Sequence, residues 1–588
     1  MFEEPLTGGR GRDRAAGEQR GTEVLSRPAI CWDTADRVWP SSRAASEKEA
    51  SRPSVRRSDQ GFPLRPGPLS VPPVTFCDMT DHALRLLRQH AHLAELAAFP
   101  FDFDLRRAHH GEAVRLASGG PLRPVAGDDT GGTYFVCADG SVLYADSEGS
   151  AGIIGSSVDE ALELLIGLPG WRDHLDLSPS NGPEKILAQV TETEDEFRED
   201  YGLDEARPRL RAALGLSERS PVELIGMLHA ALLRTEPDFL LLNAEEGGAY
   251  ALLDRHPRPP LWEPVLAQGK ADLAALRAGD RTAWDTVAGD PVRRRLALRA
   301  AQFDRADGDL ELLRHLLRRE TESSMTDELR LAAVLVGLHG HIEDLPLLHE
   351  VRETDFDTAC GLSELPRPDA DGAVLQEWAR ELDESLFGTD PSDEPPSTWT
   401  ELAAAQGLTE LARAALIRRL DEIEMDQSLL RRPGTPKALD PSPLRGLAHE
   451  FEQLGDRVQA LRAQRLYTAL QQTAWDRVSA RRTQARLERE TGQLVEAERT
   501  LAALRDTLAD PGDESLRHWQ GVNLGCFIAE EHYALTRALA DADLPEEALV
   551  TLAAADAILG ELSGAGATAV RELAEDVAER VRDPRDLG

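Results

Sequence analysis

The spacing of apolar residues divides the chain into a short stretch of mixed periods and a long helical remainder. Two continuous β-prone runs, Thr133–Cys137 and Val142–Ala145, are separated by Ala138, Asp139, Gly140 and Ser141. An Asp-Gly pair at the centre of such a link supplies the positive φ of a tight turn, so the runs predict an antiparallel hairpin. Ser157 then opens a helix: Glu160 completes a capping box, and Val158, Leu162, Leu165 and Ile166 share one face. Gly167, Pro169 and Gly170 stop it just before Trp171. An earlier helical period begins at Met79, with Thr80 and Asp81 as N-cap candidates. From about residue 183 strand patterns nearly vanish, and Leu/Ala-rich amphipathic helices follow one another with Pro-rich breaks near 256–260, 391–396 and 433–443.

These patterns predict a mainly α chain. A small N-terminal α+β module is expected over 79–180, a helical region over 181–388, a linker over 389–399, and an α-solenoid-like array of helical repeats over 400–588. Residues 1–78 show no period, and their few apolar groups cannot offset roughly 1–2 kcal/mol of backbone entropy per ordered residue. They are expected to be a disordered leader, with Met79 as the natural start.

A Gly-x-x-x-x-Ala opening recurs before several amphipathic helices: Gly407 with Ala412, Gly455 with Ala460, and Gly492 with Ala497, followed by a fourth copy in which Asp543 replaces Gly ahead of Ala548. Glycine admits a left-handed turn and the small alanine admits a close second helix, as stacked helical hairpins require. In this Gly/Ala pair and in helix length, residues 400–583 resemble tetratricopeptide repeats. Region 285–388 resembles HEAT-type repeats, chiefly through Leu331–Pro346. Residues 131–175 resemble the SUKH, or Smi1/Knr4, superfamily in the succession of 132–136 (GTYFV), 140–148 (GSVLYADSE) and 157–165 (SVDEALELL). That resemblance implies a binding module, and in many bacterial members an immunity protein that masks a toxin.

Composition narrows the chemistry. The 588 residues carry 66 Lys and Arg against 104 Asp and Glu, a net charge of −38. Such a field repels phosphate backbones, and the basic clusters Arg293–Arg295, Arg431–Arg432 and Arg481–Arg482 lack interleaved aromatics, so no nucleic-acid partner is expected. No apolar run approaches the roughly 18 residues of a membrane span, and five scattered cysteines make no disulfide framework. A cytoplasmic protein is expected. Lysine occurs only at 48, 185, 270 and 437, a sign of GC-rich coding that makes acidity alone a weak pointer to a basic partner.

Catalytic signatures are missing. The nearest approach to a P-loop, Gly269-Lys270, has Pro264 where its first glycine belongs, and there is no Gly-x-Ser-x-Gly, His-Glu-x-x-His or Cys-x-x-Cys. Cys137 reads as a buried structural thiol, and the Asp304–Asp309 and Asp369–Gly372 runs as capping turns. His82, His90, His92, His109 and His110, near Asp102 and Asp104, read as solvated surface. The acidic runs at 192–200 and 390–396 read as a solvated helix start and a linker.

The expectation is therefore a nonenzymatic protein–protein interaction protein with no catalytic residues, no metal and no cofactor. Its partner would be a protein or peptide, in the narrower reading a basic toxin, with neither nucleic acid nor membrane. Tyr134, Tyr144 and Trp171, with Asp146 and Glu148, are the expected partner-binding residues, since aromatic anchors dominate interfaces. The alternative is a hydrolase-like enzyme whose site lies near the His-rich segment 82–110.

Overall fold

The computed structural model describes residues 82–245, 247–279, 281–427, 442–509, 514–562 and 564–582. The expected leader, the Thr80 and Asp81 caps, the Arg431–Arg432 cluster and most of the 433–443 break lie outside them. The chain is mainly α, with a small sheet region near its N-terminus and a helical array after it.

The predicted hairpin forms the centre of the sheet. Strands β1 (Val114–Leu116), β2 (Leu122–Gly127), β3 (Thr133–Cys137), β4 (Val142–Ala145), β5 (Ser150–Gly155), β6 (Leu241–Asn243) and β7 (Ala251–Leu252) make two sheets, β2-β3-β4-β5-β7 and β1-β6. In the β3–β4 hairpin Tyr134 pairs with Tyr144 and Val136 with Val142, and Gly140 takes φ 89° in the turn. The helix Val158–Gly167 is capped by Ser157, whose hydroxyl accepts from the Glu160 N–H at 3.1 Å. Glu160 reaches back one residue further than a standard box, accepting from the Ser156 N–H at 2.5 Å.

Every residue of β3 and β4 is buried, because both faces of the sheet are covered. One face, with Tyr134, Val136, Val142, Tyr144 and Ile154, packs against helices within His82–Leu233. The opposite face, with Phe135, Leu143, Ala145 and Ile153, packs against Leu116, Leu241 and Tyr250 of the β1–β6 ribbon and the segment after it. Period-two alternation then sends the neighbours outward. Leu240, Leu242 and Ala117 join Leu416, Ile417, Leu420, Phe451 and Leu461 of the array in one apolar cluster.

The sheets and their core continue past residue 180, where the module was expected to end. Strands β6 and β7 and the helices between 183 and 233 complete the same sheets and core. Strands of three and two residues carry no readable period, which is why they escape a sequence reading. Within the expected linker 389–399 most residues are exposed, but Glu394 and Trp399 are buried. Glu394 accepts from Arg299 Nη1 at 3.1 Å, Gln302 Nε2 at 2.6 Å and the Gly388 N–H at 2.7 Å.

Beyond it, four helical hairpins follow in sequence: Pro396–Ala405 with Thr409–Gln427, Ser442–Gln453 with Arg457–Ala469, Ala474–Glu490 with Leu494–Leu508, and Asn523–Asp541 with Pro545–Glu561. Gly564–Arg582 closes the series. All four turns carry the left-handed residue expected from the Gly/Ala spacing: φ is 79° at Gly407, 74° at Gly455, 78° at Gly492 and 61° at Asp543. Each turn closes a Schellman motif; at the first, the Leu408 N–H bonds the Ala403 carbonyl and the Gly407 N–H the Ala404 carbonyl. Ala412, Ala460, Ala497 and Ala548 are fully buried. Among the described residues no helix is long and apolar enough to cross a membrane.

Candidate functional site

The three aromatic residues expected to anchor a partner belong to the core. Tyr134, Tyr144 and Trp171 are 1%, 0% and 4% exposed. Tyr144 lies 5.0 Å from Tyr134 and meets Trp171 edge-on at 5.2 Å, between ring centroids. The two tyrosine rings offer no surface, because a sheet covered on both faces leaves no outward position in its central strands, and Trp171, in the turn after the helix Val158–Gly167, packs on Tyr144.

Tyr144 also closes a buried polar knot. Asp128, on the loop after β2, accepts at Oδ1 from the Gly132 N–H (2.7 Å) and from the Thr130 N–H and hydroxyl (both 3.0 Å). Its Oδ2 accepts from the Tyr144 hydroxyl (2.6 Å) and from Arg172 Nη1 (2.9 Å). Burial would raise this carboxyl, but the bonds from Tyr144 and Gly132 and the charge of Arg172 outweigh it and hold it below the ordinary carboxylate value. Asp102, 3.8 Å from Arg172 Nη2, is pushed up to about 6 by burial and then by Asp129. The sequence shows no more of Asp128 than a loop Asp ahead of Thr130 and Gly132, since its other donors, Tyr144 and Arg172, lie 16 and 44 residues away.

The 128–132 loop shapes one wall of a cleft of about 500 Å³, contributing Gly131. Asp146, Ser147, Glu148 and Gly149, from the β4–β5 turn, make a second wall; His110 and Glu112 make a third; Asn243, Gly248, Ala249 and Tyr250 close it. Of the five residues singled out in the sequence, Asp146 and Glu148 are thus brought to the cleft and the three aromatics are not. Asp146 Oδ1 accepts from the backbone N–H groups of Glu148 and Ser150, at 2.9 and 2.8 Å, which fixes the turn.

A hydrogen-bond chain crosses the floor. The Tyr250 hydroxyl donates to Glu112 Oε2 at 2.6 Å, so its oxygen is left to accept from His110 Nε2 at 3.1 Å. His110 Nδ1 lies 3.1 Å from the Thr133 hydroxyl, which itself donates to the His109 carbonyl at 3.1 Å. Burial first, opposed by Glu112, lowers the His110 value, which favours the neutral ring. Burial and then the Glu112 carboxylate push the Tyr250 phenol up, which keeps it a donor. His109 stays exposed, as expected, but the adjacent His110 turns inward and is only partly exposed. Tyr250 has no signal in the sequence, because it meets His110 across 140 residues.

Glu112, Asp146 and Glu148 are the charged residues lining the cleft beside His110; no arginine or lysine does so among the described residues. No family model, curated protein or solved structure matches the chain. The cleft must be read from its own chemistry. Among the described residues no group of three or more His, Cys, Asp and Glu is placed to hold a metal ion. The Arg293–Arg295 cluster is spent internally: Arg293 pairs with Asp272, and Arg294 and Arg295 share Glu320. Cys137 is buried, and burial pushes its thiol up to about 12.

Proposed function

We propose that the chain is a nonenzymatic interaction protein that takes a basic side chain of a protein or peptide partner into the cleft, while the helical array offers additional surface. One observation carries this reading. A concave site of about 500 Å³ is lined by three carboxylates and by no cation among the described residues, although arginine is abundant in the sequence. A guanidinium there would find carboxylate acceptors together with the flat faces of His110 and Tyr250. The SUKH-like and repeat-like resemblances, a toxin-neutralising role and a cytoplasmic setting all accord with this reading and remain part of the proposal.

The test uses the full chain. An arginine-rich peptide is titrated at 50 and 500 mM salt, beside the same peptide with citrulline for arginine. We expect binding that weakens at least about tenfold at high salt and in the D146N/E148Q variant, since it depends on charge complementarity. Binding that ignores both changes, or is equal for the citrulline peptide, removes the proposal. The competing reading is a hydrolase using His110, favoured by the entry of this histidine into the cleft. Turnover in a hydrolase screen that disappears in H110A would establish it instead.

A further inference from the structure

One wall of the cleft, four of its twelve lining residues, touches the helical array. Asn243, Gly248, Ala249 and Tyr250 leave β6 in a tight turn, in which the Gly247 N–H bonds the Asn243 carbonyl and the Asn243 N–H the Gly248 carbonyl, each at 2.9 Å. Gly247 sits at the bend with φ 74°. Its carbonyl accepts from Gln459 Nε2 at 2.6 Å and, at 3.5 Å, from Arg462 Nη1. Gln459 is fully buried on the array helix Arg457–Ala469. Its own carbonyl oxygen accepts from Arg462 Nη1 at 3.3 Å, and Arg462 in turn is gripped by Asp421 and Glu424 of the preceding hairpin. A polar lattice spanning two hairpins of the array thus ends on one backbone carbonyl of the cleft-forming turn.

We infer that Gln459 is a positioning residue for the cleft: the array holds the turn after β6 through Gly247, and displacement of the Arg457–Ala469 helix alters the place of Tyr250 and with it the cleft's affinity. The contact suits this role. A buried amide donor has no water to replace its lost acceptor, so the bond keeps its geometry, and Gly247 lies within three residues of the phenol that orders the Glu112–His110 chain. This regulation of the cleft rests on the function proposed above, whereas the hold on the turn does not.

The experiment uses the full chain in three forms: wild type, Q459L and Q464L. Gln464 is the matched control, since it is a buried glutamine on the same helix whose amide donates to a backbone carbonyl, that of Ala480, at 2.9 Å within the array. Hydrogen exchange is followed on peptides covering 247–253, and affinity for the arginine-rich peptide is measured alongside. We expect Q459L to speed exchange there and to weaken peptide binding, each by about tenfold, with Q464L leaving both near wild type. Unchanged exchange in Q459L, or an equal effect from Q464L, overturns the inference. Faster exchange in Q459L with no peptide bound by the wild type supports the positioning role while removing the proposed function. Wild-type binding that Q459L leaves intact overturns the control of affinity and leaves the proposed function standing.

Discussion

Replacing Asp128 with alanine strikes the wall of the cleft from beneath. The side chain is completely buried and accepts from four groups: the Gly132 N–H, Thr130, the Tyr144 hydroxyl and Arg172. Breaking a buried ion pair costs about 3–5 kcal/mol, and each buried donor left without an acceptor about 1–3 kcal/mol. Arg172 keeps 34% of its side chain exposed and recovers water, so the lower end applies: about 3 kcal/mol, or a roughly 100-fold rise in local opening. Hydrogen exchange on peptides covering 130–137 reads this directly. D128N, which keeps the shape and the Oδ1 bonds, should cost about half as much. The folded carboxyl sits below its ordinary value, so the unfolded chain takes up the proton first as pH falls. The contribution is therefore present above the ordinary carboxyl value, about pH 4, and is lost as pH falls through the lower folded value; D128N should flatten that slope. Exchange in D128A within threefold of wild type would refute the claim that Asp128 holds this wall.

Three further outcomes are expected. His532 is fully buried, its Nδ1–H donating to the Ile528 carbonyl at 2.7 Å and its Nε2 accepting from Arg505 at 3.0 Å; burial lowers its value to about 4. Because the unfolded ring protonates first, the C-terminal hairpins should lose on the order of 3 kcal/mol as pH falls from about 6.5 to 4, a slope that urea midpoints should show in wild type and lose in H532Q. G492A should cost about 1–2 kcal/mol in the same assay, since a Cβ there meets no atom within 4 Å and only the backbone at φ 78° resists, whereas D543G should be neutral or stabilising. E394A should destabilise by about 3–5 kcal/mol by leaving Arg299, 2% exposed, short of one carboxylate, and thermal unfolding measures it.

What the sequence disclosed was local. The Asp139–Gly140 turn, the Ser157 cap and the four left-handed hairpin turns each declare themselves within a few residues, and the structure places all of them where the spacing put them. The cleft is assembled differently. His110, Gly131, Asp146 and Tyr250 come from four connections that only the paired strands bring together. The burial of the two tyrosines was not legible for a related reason: alternation distinguishes inward from outward positions only when one face of a sheet meets water, and here neither face does. Asp146 and Glu148 lie beyond the end of β4, where the covering layers stop, and so they reach the cleft.

The shared apolar cluster carries a consequence for synthesis. Leu240 and Leu242 leave the ribosome well before Leu416, Ile417 and Phe451, the groups that cover them. At roughly 5–20 residues per second the outer side of the β1–β6 ribbon stays bare for about ten to forty seconds during each round of translation. The nascent chain thus passes through a sticky intermediate whose cure arrives late, and a chaperone that recognises exposed leucine has its window there. Halting elongation between residues 253 and 416 should yield a ribosome-held chain that such a chaperone grips, and extension past 461 should release it.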